Sequence, residues 1–266
     1  MAHLGRGATL WASAAFQPLP PMPALDAILF DVDDTLFSTT AFTTLARRNA
    51  VHAMVEYGLE ATEEQALAEL KEVLSEFGSN YDHHFDKLVI RLMGRSKLID
   101  RRAMIVSAGV VAYHDTKFQG LAPFEDVHPL LDGLVATDTR VGVITHGWTG
   151  KQTEKLIRLG LIPTPFSPDT VFISDAVGIN KPNPKLYQLA LTDMGLTDRT
   201  RVMYVGDNPD NDIAPPKSLG MKTVWCKRAS KVTETQVVPD HAVNNFRELA
   251  DILRDVYEIP LPTLID

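Results

Sequence analysis

Ala27-Ile28-Leu29-Phe30 is an unbroken apolar run, the pattern of a short strand covered on both faces. Helical spacing replaces it from Thr39 to about Phe118, and no convincing strand pattern interrupts that stretch. Inside it, Thr62-Glu63-Glu64-Gln65 has the form of a capping box, in which a threonine hydroxyl and a glutamine side chain each satisfy a free backbone N–H at a helix start. Ala66, Leu67, Leu70, Val73, Leu74 and Phe77 then fall along one helical face. Beyond Phe118 strands and helices alternate. Val141-Gly142-Val143-Ile144 reads as a strand and 150–159 as a helix. Val171-Phe172-Ile173 reads as the next strand, and Asn183-Pro184 opens a helix with an N-cap and an N1 proline. Val202-Met203-Tyr204-Val205 is a strand, followed by a helix ending near Gly220, a strand at Thr223-Val224-Trp225 and a closing helix over 246–257. Alternation of this kind predicts a parallel sheet with helices on both faces, an α/β Rossmann-like core. The all-helical block falls within the first strand-to-strand connection. The predicted organisation is a core of 23–38 and 119–266, a helical cap of 39–118 inserted into it, and a poorly ordered extension at 1–22.

An open parallel sheet places its chemistry just past the carboxyl ends of its strands. The first strand delivers Asp31-Val32-Asp33-Asp34-Thr35 to that edge. Two carboxylates two residues apart at a buried strand end repel unless a cation or unequal protonation relieves them. A hard divalent ion with oxygen ligands supplies that relief. One carboxylate can then be a nucleophile and the other a proton-shuttling acid and base. Acidic strand ends also cap helices and make Asx turns, so the pair takes its meaning from the other strand ends. Thr145 closes the second strand before His146-Gly147, a hydroxyl and backbone N–H groups able to grip a phosphate oxygen. Lys181, in the turn Asn180-Lys181-Pro182-Asn183-Pro184, could neutralise charge on a transferring phosphoryl group. A further strand runs into Gly206-Asp207-Asn208-Pro209-Asp210-Asn211-Asp212. Asp207 suits a metal ligand there. Asp212, with Asn211 beside it, suits a supporting role that orients Lys181 or a metal-bound water.

Charge narrows the partners. Lys plus Arg number 26 against 34 Asp plus Glu, a formal charge of −8, a sign that argues against nucleic acid or an anionic membrane as the main partner, since both demand a basic face. A local positive pocket for one phosphate is compatible with that sign. No apolar run reaches the roughly 18–20 residues of a membrane span. Cys226 is the only cysteine, which excludes an intrachain disulfide and a cysteine zinc cluster and suits a reducing, cytoplasmic setting. Arg6 followed by apolar residues 8–16 imitates a secretory signal poorly, since its basic region is one arginine and the proline-rich 17–23 follows.

With these stations in order, the chain resembles the haloacid dehalogenase superfamily over nearly everything from 25 to 253. The motifs that carry the likeness are Asp31-Val32-Asp33-Asp34-Thr35, Thr145, Lys181 with its prolines, and Gly206-Asp207 with Asn211-Asp212. The resemblance implies that Asp31 attacks phosphorus and forms an aspartyl-phosphate, and that Asp33 protonates the leaving alcohol and later activates water. It implies Mg2+ held by the Asp31 carboxylate, the Asp33 backbone carbonyl and Asp207. It also implies that Thr145, the N–H groups near His146 and Gly147, and Lys181 hold the phosphoryl oxygens. Asp33 points away from the superfamily's dehalogenases, which lack a second aspartate because a halide leaves without a proton; an alkoxide needs one. The Lys-Thr-Gly that follows the nucleophile in P-type ATPases is absent. Many relatives have Asn or Asp where His146 stands, a departure that alters contacts at the pocket mouth and spares the backbone N–H.

Arg47-Arg48-Asn49-Ala50, Gly78-Ser79-Asn80-Tyr81 with His83-His84-Phe85, and Ala112-Tyr113-His114-Asp115-Thr116-Lys117-Phe118 are similar to a group of small archaeal-type phosphatases, some of them assigned glyceraldehyde 3-phosphate. His83, His84, Tyr113, His114 and Lys117 are therefore candidates to contact the non-phosphate end of a substrate. The expected activity is magnesium-dependent hydrolysis of a small phosphorylated metabolite. The alternatives are a phosphomutase of the same superfamily or, from a different class, a phosphorylatable switch or an inactive phosphate-binding protein. An inserted cap excludes solvent from chemistry and makes little sense in a switch.

Overall fold

The computed structural model describes residues 25–78, 81–94 and 99–264. The extension expected at 1–22, and Ser79 and Asn80 of the cap pattern, lie outside them. Among the described residues one parallel sheet is built from β1 (Ala27–Phe30), β2 (Arg140–Thr145), β3 (Val171–Ile173), β4 (Val202–Gly206), β5 (Lys222–Cys226) and β6 (His241–Val243). Their order across the sheet is β3-β2-β1-β4-β5-β6. The helices, in chain order, are α1 (Thr39–Glu56), α2 (Glu63–Phe77), α3 (His84–Met93), α4 (Ile99–Gly120), α5 (Val127–Val135), α6 (Thr149–Arg158), α7 (Ser174–Val177), α8 (Pro184–Asp193), α9 (Ala214–Ser218) and α10 (Phe246–Asp255). The winding moves outward from β1 through β2 and β3, then returns to β4 on the other side of β1. Such a reversal opens a crevice at the carboxyl edge, where ligands of doubly wound sheets bind.

Strand periodicity explains the two cores around the sheet. Successive β1 side chains point to opposite faces. Ile28 and Phe30 pack with Leu130, Leu156 and Phe246 from α5, α6 and α10, whereas Ala27 and Leu29 pack with Leu186, Tyr187 and Ala190 from α8. The segment α1–α4, between β1 and α5, buries Val51, Met54, Leu70, Leu88 and Ile105 in a third cluster of its own. The expected capping box is present at α2. Thr62 Oγ1 accepts from the Gln65 N–H at 3.2 Å, and Gln65 Oε1 accepts from the Thr62 N–H at 3.0 Å. Phe77, at the far end of that helix, is 41% exposed and stacks on the Tyr81 ring instead of entering the core.

Two further differences concern elements. The helix expected to end near Gly220 is only Ala214–Ser218, because the chain first makes a one-turn π-helix, Pro209–Ile213. Isolated π-turns of this kind recur at functional sites. β6 and α5 were not anticipated, the first being three residues long and the second carrying Pro129 in its first turn, where proline removes no helical hydrogen bond. No helix among the described residues is long and apolar enough to cross a membrane.

Candidate active site

The Asp31 N–H donates to the Val205 carbonyl at 2.9 Å, which extends β1 by one rung and releases its carboxylate at the crevice. The chain then turns sharply. Asp34 has φ 58, a left-handed conformation that Asp tolerates better than most residues. Its carboxylate accepts from the Thr40 N–H at 3.2 Å and so ties the turn to the start of α1.

Lys181 reaches in from the turn before α8. Its ammonium donates to Asp31 Oδ1 at 2.6 Å, Asp212 Oδ1 at 2.7 Å and Tyr204 Oη at 2.8 Å, and Tyr204 donates onward to the Ile144 carbonyl at 2.7 Å. Burial alone would favour the neutral amine, but Asp212 and Asp31 outweigh it and hold Lys181 well above the ordinary lysine range. Asp212 Oδ2 accepts from the Asn208 N–H at 3.0 Å. This packing requires glycine at 206, where a Cβ would lie 2.4 Å from the Asp212 Cβ.

Oxygens of Asp31, Asp207 and Asp212 lie within 4.8 Å of one another. Burial raises Asp31 to about 7, opposed by Lys181 and reinforced by Asp212 and Asp33. Burial also raises Asp207 to about 8, with Asp31, Asp212 and Asp34 adding to the effect. One lysine therefore serves three carboxylates. An all-oxygen donor set with surplus negative charge fits a hard divalent cation, which would lower both values.

Thr145 is fully buried, and its Oγ1 has no hydrogen-bond partner among the described residues; the same holds for Thr35 Oγ1. An unsatisfied buried hydroxyl is unfavourable by about 1–3 kcal/mol, a condition that a bound phosphoryl oxygen would remove. The Gly147 N–H donates to Ser174 Oγ at 3.0 Å, and the His146 ring pairs with the Asn180 side chain. Of these groups the Gly147 N–H is already engaged by Ser174, whereas the Thr145 hydroxyl has no partner among the described residues.

Asp33 sits in a different setting. Its oxygens accept from Lys155 Nζ at 2.6 and 2.8 Å, Gln152 Nε2 at 2.9 Å and Thr39 Oγ1 at 2.8 Å. Burial pushes its pKa up, but the Lys155 charge and these hydrogen bonds more than offset that and hold it below the usual range. Lys155 and Gln152 stand three residues apart on one face of α6. Neither was singled out from sequence, and nor was Tyr204. The available signal was a Gln–Lys pair at helical spacing just past Thr145, and a lone hydroxyl in an otherwise apolar strand.

A cavity of about 590 Å³ lies between α1 and α4 on one side and the start of α6 on the other, with Asp33 in its wall. His84, Tyr113, His114 and Lys117 line it. His83 does not; it lies outside that lining and pairs with Asp86 at 3.4 Å. Lys117 is paired with Glu154 of α6 at 2.5 Å. Asn211 contributes through its backbone, its carbonyl accepting from the Tyr187 hydroxyl and its N–H donating to Asn208 Oδ1 at 3.1 Å.

The reversed winding and the lysine-clamped carboxylates at its crevice define a class: a Rossmann-like α/β enzyme with an acidic centre at the carboxyl edge of its sheet. The family model described as haloacid dehalogenase-like hydrolase matches residues 28–226, from β1 through β5, and the chain belongs to that family. It is a hydrolytic enzyme. A glyceraldehyde 3-phosphate phosphatase of Methanopyrus kandleri is 42% identical over 87% of this chain and 98% of its own. The protein of that name from Methanocaldococcus jannaschii is 39% identical over 87% of this chain and 98% of its own. Among solved structures, a HAD phosphatase from Thermococcus onnurineus covers 86% of this chain and 98% of its own with a TM-score of 0.57. At 22% identity that likeness shows the fold alone.

Proposed function

We propose that this hydrolase is a magnesium-dependent phosphatase acting on a small phosphorylated metabolite, with Asp31 as nucleophile and Asp33 as acid and base. The observation that carries the reading is the buried Asp31–Lys181–Asp212 cluster, linked at 2.6 and 2.7 Å, with an Asp207 oxygen within 4.8 Å of those of Asp31 and Asp212. Asp31 and Asp207, with the Asp33 backbone carbonyl, would hold magnesium, which supplies positive charge against the phosphoryl oxygens when bound. An Asp31 oxygen bonds to phosphorus while the ester P–O bond breaks, and the leaving alkoxide takes a proton from Asp33. Water then attacks the aspartyl-phosphate, its proton passes to Asp33, and the Asp31 carboxylate is regenerated with release of inorganic phosphate. Lys181 balances charge on the transferring group, Asp212 and Tyr204 keep its ammonium in place, and Thr145 Oγ1 donates to a phosphoryl oxygen. Lys155 and its neighbours hold Asp33 as the anion, the form that accepts the proton of water in the second step. To serve as the acid in the first step Asp33 must first take up a proton, which that second step then returns to it.

The helical segment 39–118 is the cap that closes over this chemistry. Glyceraldehyde 3-phosphate, the substrate in the names of the two relatives, is the first ester to assay. Wild-type protein is expected to release phosphate with magnesium and to stop in EDTA. Asp31→Asn keeps the volume of the side chain and removes its nucleophilic charge, so turnover should fall on the order of 10³-fold or more with unchanged circular dichroism. Wild-type turnover in that variant would sink the mechanism.

A further inference from the structure

Thr39, Thr43 and Arg47 stand four residues apart on α1 and form one stripe along the cavity. The stripe starts at Asp33, to which Thr39 donates at 2.8 Å. It ends at Arg47, about 12 Å farther along the helix axis at 1.5 Å per residue. Val110, Tyr113, His114 and Lys117 make the facing stripe on α4. The two helices thus wall a lane that leads from the proton-transfer carboxylate to a guanidinium.

Three of the four Lys and Arg side chains in this cavity are neutralised within the protein. Lys155 is paired with Asp33 at 2.6 Å, Lys117 with Glu154 at 2.5 Å and Lys151 with Asp82 at 3.1 Å. Arg47, half-buried, has no ion pair and no hydrogen bond with any described residue. The Tyr113 hydroxyl likewise lacks a hydrogen-bond partner among them. The Arg47 charge is felt at Tyr113, where it works against the upward shift that burial causes, and at His84, where it adds to the downward shift led by burial. A guanidinium drawn partly out of water without a counter-ion is unfavourable, and its planar fork of donors is complementary to a carboxylate or phosphate. Cavities of about 300–1,000 Å³ hold ligands of drug size, so this one exceeds the need of a two- or three-carbon ester.

We propose that Arg47, assisted by Tyr113, binds a second oxyanion on the alcohol portion of the substrate, so that the preferred esters carry a carboxylate or a second phosphate remote from the phosphoryl group that Asp31 takes. This inference rests on the phosphatase reading of the Asp31 site and adds the substrate class. The second anion takes no part in bond making; it sets which ester is held.

The test uses matched pairs of esters with the full-length chain: 6-phosphogluconate against glucose 6-phosphate for a carboxylate, and fructose 1,6-bisphosphate against fructose 6-phosphate for a phosphate. Wild-type kcat/KM should favour the anionic member of at least one pair by about tenfold or more, chiefly through KM, as expected for a charge-assisted contact. Which pair responds identifies the anion. Arg47→Gln should erase the preference, and Arg47→Lys, which keeps the charge without the fork, should retain part of it. Hydrolysis of both members of each pair with no preference for the additional anionic group, or a preference that survives Arg47→Gln in a folded variant, would overturn this proposal and leave the phosphatase reading standing. Failure to release phosphate from any ester, p-nitrophenyl phosphate included, would remove both.

Discussion

Lys155 holds both oxygens of Asp33, at 2.6 and 2.8 Å, while Gln152 and Thr39 fix the same carboxylate from two other sides. A group that must meet a leaving oxygen works only when it is aimed, so Lys155 is a positioning residue for Asp33. Lys155→Met should lower kcat on alkyl phosphates by about 10²-fold, the lower end of what proton transfer contributes. On p-nitrophenyl phosphate, whose phenolate leaves without help, the fall should be much smaller. Equal losses on both esters would show Lys155 to be a packing residue only. Asp31 and Asp207 were readable from sequence because each directly follows a strand, and strand ends of a parallel sheet converge; Lys181 and Asp212 were readable from the proline-flanked turn and the Asn-Asp pair in which they stand. Lys155, Gln152 and Tyr204 were not. A helix's polar face does not reveal which of its side chains folds back on a strand end, and a tyrosine in an apolar strand reads as core until its hydroxyl is seen between Lys181 and the Ile144 carbonyl.

At the scale of elements, α2 carries Leu70 and Leu74, which contribute to the cavity wall, and its start depends on the Thr62–Gln65 box. Thr62→Ala leaves one N–H without its acceptor and should cost about 1 kcal/mol, a fall in Tm of about 2–4 °C for a chain of this size class. Because α1–α4 have their own core, hydrogen exchange in 63–77 should quicken more than in the sheet strands. Uniform exchange across both regions would mean that the two unfold as one unit. The capping box was legible since it is purely local: four residues determine it. The π-turn at Pro209–Ile213 was not, because it arises where Asp212 must pack onto Gly206 and reach Lys181, a tertiary demand. β6 escaped notice for a related reason. Three residues show no periodicity, His-Ala-Val lacks the unbroken large apolar run that marks Val171–Ile173, and His241–Val243 becomes a strand only by pairing with β5.

At the scale of the whole molecule, a chain of net charge −8 concentrates three carboxylates around one lysine, so its stability should be linked to pH and to metal. Asp31 and Asp207 are raised by burial to about 7 and about 8 in the protein without metal. A raised folded-state value means that the folded protein binds these protons more tightly than the unfolded chain does. The stability they contribute is full below the ordinary aspartate range and is lost as pH climbs through 7 to 8. A divalent cation competes for the same oxygens, so its affinity should strengthen across that window as the protons leave. Magnesium should therefore raise Tm little at pH 6 and more at pH 8.5, each kcal/mol of linkage appearing as about 2–4 °C. Asp207→Asn removes one of the competing charges. It should make the metal-free protein more stable than wild type at pH 8.5 and abolish most of the response to magnesium. Calorimetry of wild type and variant at the two pH values, with magnesium and with EDTA, decides the point: a magnesium shift that is independent of pH, or that persists in Asp207→Asn, would place the cation away from these carboxylates.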